Sequence, residues 1–415
     1  MCAVVVLAAV VLAEEAGAIT VDFARPIGPV THRASGFLHG IQVNKPDDAL
    51  LKPLNITYIR GMPKSRPGNL PGVFDVMEQR AEVLNHPNLR LCLGVYYYNK
   101  NKLGYPGDNG DWTTWEQIVE REVRDILAKG IDCDYVIWNE PNYKKFWARD
   151  RARFFETWKR GYRKIREIQP DAVILGPTIT HYDFKWLTEF LQYCKEHDVV
   201  PNIVNWHELQ HGGNADRIPD NVARVRAWCA ENGVDIQGIT IDEYGSKVDQ
   251  YKPGQAVRYF SALEKAQVRH AALAIWTDAG TLNALTTKDG KQPLSTWWTF
   301  KAYSDMSGTH YAVKEPKFLR GLASAENGTA MVLVGNTTSD NRSCRLRLEN
   351  LSKAGLQGRK FTIQRERIPF SDDSPLAAPE KLPELVVEAS DDAIVFDAGK
   401  LTRNGAMMVT IRAAR

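Results

Sequence analysis

The chain has 415 residues, of which 44% are hydrophobic and 25% are charged, and its formal net charge is +3. This composition is that of an ordinary folded protein, and it excludes a disordered or fibrous chain. The small net charge also argues against nucleic acid as a partner, because a phosphate backbone selects a strongly basic surface.

The first 18 residues are typical of a targeting segment. Residues 4–13 form an apolar run, and Ala16, Gly17 and Ala18 supply the small residues of a cleavage site. The run is too short to cross a bilayer, and no other stretch approaches that length. We therefore expect a signal peptide over residues 1–18, no membrane span and a secreted protein.

The cysteines indicate neither a disulfide framework nor a metal site. Five follow the signal peptide, an odd number, and none of them has a CxxC spacing. We expect them to be buried thiols, and we expect the protein to need no metal or cofactor.

Short apolar runs alternate with amphipathic helices along most of the chain, which is the pattern of parallel strands joined by crossover helices. Eight such units fit the length of one closed (β/α)₈ barrel. An open doubly wound sheet is disfavoured because no glycine-rich phosphate turn follows the first run. The predicted strands are residues 34–41, 56–60, 89–96, 135–139, 172–176, 203–207, 238–243 and 271–276.

From residue 307 the pattern changes to alternating runs divided by Gly, Asn, Asp and Pro, which predicts an antiparallel β-sandwich. The fold class is therefore an α/β TIM barrel followed by a C-terminal sandwich domain. We place the barrel at residues 19–306 and the sandwich at 307–415. The strand-like residues 19–24 precede the barrel and are expected to pair with the sandwich.

Two glutamates end apolar strands at the predicted mouth of the barrel, where active sites of this fold lie. Glu140 stands in the string Trp-Asn-Glu-Pro-Asn, residues 138–142, and Glu243 follows the run of residues 239–241. Three βα units separate them, so their strands face each other across the mouth. Two carboxyl groups about 5–5.5 Å apart are what a retaining glycosidase requires.

These residues resemble the clan A retaining glycoside hydrolases, and most closely glycoside hydrolase family 39, which includes β-xylosidases and enzymes that degrade exopolysaccharides. The resemblance implies that Glu140 is the acid/base and Glu243 the nucleophile. It also implies that Asn139 binds the sugar 2-hydroxyl and that the substrate is an oligosaccharide or polysaccharide with β-type bonds.

The resemblance further implies a set of groups around the sugar. Trp276, which ends the eighth strand, would form an aromatic platform. Independently of the resemblance, the position of Trp147 and Phe146 just after the acid/base motif predicts that they line a leaving-group subsite. The remaining predicted substrate contacts lie at other strand ends: His39, Arg60, His207, Glu208 and Tyr244.

Two carboxylates depart from the family pattern. Asp242 and Glu208 stand where other residue types are usual, so each is either a substrate contact or, for Asp242, the true nucleophile one position earlier. Strand alternation puts Asp242 and Glu243 on opposite faces and does not decide between them.

Two other function classes remain open. A barrel that has kept sugar binding and lost catalysis would not need two opposed carboxylates. A metal-dependent hydrolase would use His207, His211, Asp242 and Asp278, but lone histidines at strand ends more often bind by hydrogen bonds.

Overall fold

The structure is a computed structural model that describes residues 17–65, 70, 72–97, 103–210, 212–274 and 279–414. The predicted signal peptide lies outside these residues except for its last two. No helix in the described ranges has both the length and the apolar character that a bilayer span requires.

Eight parallel strands close into a barrel, in which the first strand also pairs with the last. This confirms the predicted barrel fold. The barrel strands β2 to β9 are Gly36–Leu38, Tyr58–Gly61, Arg90–Gly94, Cys133–Val136, Val173–Ile179, Ile203–Glu208, Gly238–Tyr244 and Ala271–Leu273.

Amphipathic helices surround the barrel and pack their apolar faces against it. Two of them begin at a polar N-cap, where the Asp150 and Asp183 carboxylates accept backbone N–H groups. The helices α1 to α8 are Asp48–Leu51, Val73–Arg80, Thr113–Ala128, Arg151–Ile168, Phe184–Glu196, Ile218–Glu231, Pro253–Ala266 and Ser295–Asp305. Short 3₁₀ turns cover Asp108–Gly110, Gly212–Arg217, Lys247–Asp249 and Leu351–Ala354.

A second sheet of nine strands follows the barrel, and all its neighbouring strands are antiparallel except β1 and β13. The sheet encloses a separate apolar core. It folds back on itself, so that two strands distant in its order approach each other: the Arg365 guanidinium of β14 (Lys360–Ile368) donates to the Ala398 carbonyl of β16 (Ala393–Leu401) at 3.0 Å. Its strands β1 and β10 to β17 are Ile19–Pro29, Thr309–Lys314, Leu319–Glu326, Thr329–Asn336, Arg342–Glu349, Lys360–Ile368, Glu380–Glu388, Ala393–Leu401 and Ala406–Ala413.

The first strand ties the two ends of the chain together. Residues of β1 lie between β10 and β13, so the segment before the barrel belongs to the sheet that follows it. The buried side chains of Ile19, Val21 and Phe23 contribute to the second core. In sequence, the barrel therefore lies between the first strand of the accessory sheet and that sheet's other strands.

The five cysteines within the described residues are buried and form no disulfide. Cys194 and Cys229, which lie on α5 and α6, remain separate thiols. Burial raises the pKa of Cys229 to about 11, which keeps that thiol protonated and unreactive.

Helix α7 of the barrel contacts β12 of the sheet so closely that only glycine fits. A Cβ built on Gly254 would lie 1.9 Å from the Asn336 carbonyl oxygen. The Gly254 N–H also donates to the Asn404 carbonyl at 2.8 Å. The backbones of the two units are thus in direct contact at this point.

Replacing Gly254 with alanine is expected to lower the free energy of unfolding by about 1–3 kcal/mol, because the added methyl must push helix and sheet apart. Thermal and urea unfolding would measure the loss. Gly238→Ala is the matched control, since its Cβ would have no neighbour closer than 3.6 Å. Equal stability of the two variants would contradict this account of the junction.

Candidate active site

A cleft of about 1260 Å³ opens at the carboxyl ends of the barrel strands. Its lining includes both predicted catalytic glutamates and three of the predicted substrate contacts, His39, Arg60 and Asn139. Because parallel strands all end at the same rim, residues distant in sequence meet here.

Glu140 sits on a strained backbone held from the neighbouring strand. Its φ of 49° lies in the left-handed region, which is uncommon for a residue with a side chain. The Glu140 N–H donates to the Thr178 carbonyl at 2.8 Å, and the Thr178 N–H donates to the Asn205 side chain at 3.0 Å. The acid/base candidate is therefore fixed by contacts with β6 and β7.

Glu243 reaches the cleft through a bulge in β8. Asn205 pairs with Thr240 and His207 pairs with Glu243, so two steps along β7 match three along β8. The extra residue breaks the strict alternation of faces. As a result, Asp242 and Glu243 both turn toward Arg60, although alternation predicted opposite faces.

The Arg60 guanidinium joins three strand ends inside the barrel. It forms a direct ion pair with Glu243, lies 3.0 Å from the Asp242 carboxylate through Nε, and donates to the Asn139 Oδ1 at 2.8 Å. Asp242 is completely buried beneath it and is absent from the cleft lining, whereas Glu243 lines the cleft. This favours Glu243 over Asp242 as the group that meets a substrate.

His207 lies between the two glutamates. Its Nδ1 is 3.1 Å from a Glu140 oxygen, and its Nε2 is 3.5 Å from a Glu243 oxygen. The closest oxygens of Glu140 and Glu243 are themselves within 4.8 Å of each other. The two carboxylates are thus held across a gap suited to one glycosidic bond.

The pKa values at this cluster reflect competing effects. Burial alone would lower the pKa of His207, but the carboxylates of Glu243, Glu140 and Asp242 outweigh it and raise that pKa. Burial raises the pKa of Glu243, while the charges of His207 and Arg60 oppose the rise. The net result is a raised pKa, so the positive charges of His207 and Arg60 offset only part of the burial penalty on the ionised nucleophile candidate.

Four predicted substrate contacts lie away from the cleft lining: the fully buried His207 between the two glutamates, and Glu208, Tyr244 and Trp147. Glu208 follows His207 in β7 and so points outward, where it accepts a hydrogen bond from the Trp206 Nε1 at 2.8 Å. Tyr244 also points outward, since its hydroxyl donates to the Ala34 carbonyl at 2.7 Å. The structure corrects both expectations, because only alternate residues of a strand face the barrel interior.

Trp147 is likewise a core residue. Its ring is 3% exposed and packs on Trp138 and Tyr105, with ring centroids 5.2 Å away in each case. Its Nε1 donates to the Asp150 carbonyl at 3.1 Å. The ring is therefore unavailable to a sugar, but Phe146 beside it does line the cleft.

The remaining predicted residues fall outside the described part of the chain. These are Trp276, the expected sugar platform, and His211 and Asp278, which the metal hypothesis needs. Within the described residues, Glu140, His207 and Glu243 are close enough to share a cation. The Arg60 guanidinium already neutralises Glu243, however, and this disfavours a second cation there.

Sequence reasoning did not identify several groups of the cleft wall. Lys64 and Ser65 come from the loop after β3, and Tyr143 and Lys145 come from the turn after Glu140. Loop residues have no regular apolar spacing in the sequence. Only the closeness of Tyr143 and Lys145 to the acid/base motif could have identified them as residues of the cleft.

The model of one known protein family matches part of this chain. The sequence model of the glycosyl hydrolases of family 39 matches residues 92–209, which include Glu140 and His207. The chain is a relative of family 39.

Two curated proteins and one solved structure illustrate the relationship. The 3-O-β-L-arabinopyranosyl-α-L-arabinofuranosidase of Bifidobacterium pseudocatenulatum is 24% identical over 78% of this chain and 39% of its own length. The β-xylosidase of Geobacillus stearothermophilus is 26% identical over 23% of this chain and 20% of its own length. The match thus spans well under half of each curated relative. The structure of N2152 from Neocallimastix frontalis has a TM-score of 0.82 at 26% identity, and the match covers 95% of this chain and 99% of that one.

The outward position of Glu208 leads to a pH-dependent effect on stability. Burial raises the pKa of Glu208 from its ordinary value of 4.5 to about 7. Between these values the folded state holds a proton that the unfolded state releases, so stability falls as pH rises through this window.

Glu208→Gln is expected to abolish this component, which is on the order of 3 kcal/mol between pH 4.5 and 7. The measurement is the free energy of unfolding of wild type and variant at several pH values. Glu326→Gln, at an exposed position on β11, is the control. Parallel curves for wild type and Glu208→Gln would contradict the prediction.

Proposed function

We propose that this protein is a retaining glycosidase in which Glu243 is the nucleophile and Glu140 the acid/base. The observation that carries the proposal is the closeness of the two carboxylates, with their nearest oxygens within 4.8 Å. Retaining glycosidases hold their carboxyl groups about 5–5.5 Å apart, whereas inverting ones need about 6.5–9.5 Å to admit a water.

The reaction would proceed by double displacement. The Glu243 carboxylate attacks the anomeric carbon while Glu140 protonates the leaving oxygen, so that the glycosidic bond breaks and a glycosyl ester forms on Glu243. Glu140 then takes a proton from water, and the oxygen of that water attacks the anomeric carbon and releases Glu243. Asn139, whose Oδ1 accepts a hydrogen bond from Arg60, would bind the sugar 2-hydroxyl.

As the glycone we propose a pentose in a 1,2-trans linkage, either a β-D-xylopyranoside or an α-L-arabinofuranoside. The names of the arabinofuranosidase and β-xylosidase relatives support this choice. A panel of aryl glycosides would identify the sugar, and NMR of the first-formed product should show retained anomeric configuration.

Glu243→Ala is expected to lose about 10³-fold or more of kcat, because the covalent step has no nucleophile. Added azide should restore turnover and give a glycosyl azide of inverted configuration, which NMR identifies. Asp242→Ala should show no azide rescue. If Asp242→Ala is rescued and Glu243→Ala is not, the nucleophile has been assigned one position too late.

Glu140→Ala should lose about 10²–10⁴-fold on substrates whose leaving group needs a proton. It should lose far less on a glycosyl fluoride, whose leaving group needs little protonation. Here azide should give a product of retained configuration, because it replaces water in the second step. Equal losses on both substrates would contradict an acid role for Glu140.

The two alternative functions give different results in the same assays. A sugar-binding barrel without catalysis would bind oligosaccharides and hydrolyse no aryl glycoside. A metal-dependent hydrolase would lose activity when a chelator is added, whereas the proposed mechanism predicts unchanged rates.

We also propose that the protein is exported, on the strength of the targeting segment alone. Mass spectrometry of the mature chain would test this, with Ile19 as the expected first residue.

A further inference from the structure

The turn that follows Glu140 forms one wall of the cleft and displays aromatic rings on it. Tyr143, Lys145 and Phe146 all line the cleft. The Tyr143 side chain is 48% exposed, and its ring centroid lies 6.0 Å from that of Phe146 at an angle of 59°. An ordered aromatic surface left in water beside a reacting group is typical of a ligand contact.

Hydrogen bonds hold this turn rigid on both sides. The Tyr143 N–H donates to the Glu140 carbonyl at 3.0 Å, and the N–H groups of Phe146 and Trp147 donate to the Tyr143 carbonyl. The Asn142 Oδ1 accepts from the Thr180 N–H at 3.0 Å, which ties the turn to the end of β6. The rings are thus presented by a fixed backbone, so that little conformational entropy is lost on binding.

The buried ring of Trp147 anchors the same turn from below. It packs edge-on against Trp138, which immediately precedes Asn139 and Glu140, and against Phe154 of α4. The distance from the acid/base to the exposed rings is therefore set by core packing.

The position of the rings defines which part of a substrate they would touch. Glu140 protonates the leaving oxygen, so the leaving group must lie on the Glu140 side of the cleft, while the sugar that is attacked lies against Glu243. The cleft volume of about 1260 Å³ exceeds the range of about 300–1,000 Å³ typical of pockets for one small ligand. There is room for several sugar units.

We propose that Tyr143 and Phe146 form a stacking subsite for a carbohydrate leaving group, and that the preferred substrate is an oligosaccharide whose leaving group has at least two sugar units. The apolar C–H face of a pyranose would stack on the Tyr143 ring, and the Lys145 ammonium on the same wall can donate to its hydroxyls. This inference rests on the proposed function, which assigns Glu140 as the acid.

The experiment compares substrates that differ only in their leaving group. We would measure kcat/KM of the wild type and of Tyr143→Ala on β-D-xylosyl fluoride, xylobiose and xylotetraose. The wild type should prefer xylotetraose to xylobiose by about tenfold, and Tyr143→Ala should lose about tenfold on xylotetraose but less than about twofold on the fluoride.

Two controls separate the subsite from general damage. Tyr143→Phe keeps the ring and should retain wild-type chain-length preference. Phe318→Ala removes an aromatic side chain that lies just before β11 and is 37% exposed, and it should leave all three rates unchanged. Melting temperatures of all variants would show whether each one folds.

Two results would overturn the inference: a wild type without chain-length preference, or a Tyr143→Ala variant that loses as much on the fluoride as on xylotetraose. A wild type that hydrolyses no glycosyl fluoride would instead contradict the proposed function or its glycone. Calorimetric titration with xylotetraose then decides the subsite separately, since Tyr143→Ala should bind about tenfold more weakly than wild type. Equal binding would overturn it.

Discussion

The buried guanidinium of Arg60 holds together the groups at the centre of the candidate active site. Two carboxylates, Asp242 and Glu243, lie in a region with almost no access to water, where unpaired negative charge would be very unfavourable. Arg60 contacts both of them and also Asn139, so one side chain of β3 fixes groups from β5 and β8. The orientation of the site depends on this single cation because its planar fork of donors allows few arrangements.

Around Arg60, the residues of the site lie where the regular β-strand conformation is interrupted. Glu140 adopts a left-handed backbone, Thr178 does the same with a φ of 61°, and β8 has an extra residue before Glu243. A regular strand can present only every second side chain to the barrel interior. The bulge lets two consecutive carboxylates, Asp242 and Glu243, reach the same guanidinium, and the tight turn at Glu140 aims its side chain across the mouth.

The turn after Glu140 carries both a buried ring, Trp147, and an exposed ring, Tyr143. Trp147 packs edge-on within an aromatic cluster that includes Trp138 and Trp115, and this cluster supports the turn bearing Tyr143. The same sequence segment thus has a buried ring that sets position and an exposed ring that is free to contact a ligand. Elsewhere, the backbone contact between Gly254 of α7 and β12 packs the second sheet directly against a barrel helix.

The barrel, the second sheet and the pair of glutamates could all be predicted from the amino-acid sequence. Strands and helices repeat their side-chain directions with different periods, so their apolar residues are spaced differently along the chain, and the string Trp-Asn-Glu-Pro-Asn is specific enough to identify the acid. Which neighbouring residues face the cleft depends instead on contacts between distant parts of the chain. Glu208, Tyr244 and Trp147 resembled substrate contacts, but strand alternation and aromatic packing turn them away from it. Conversely, the β8 bulge placed Asp242 and Glu243 together, against the alternation of an ideal strand. The positions of bulges and the conformations of loops depend on contacts with distant strands. Neither produces a regular spacing of apolar residues that could be recognised in the sequence.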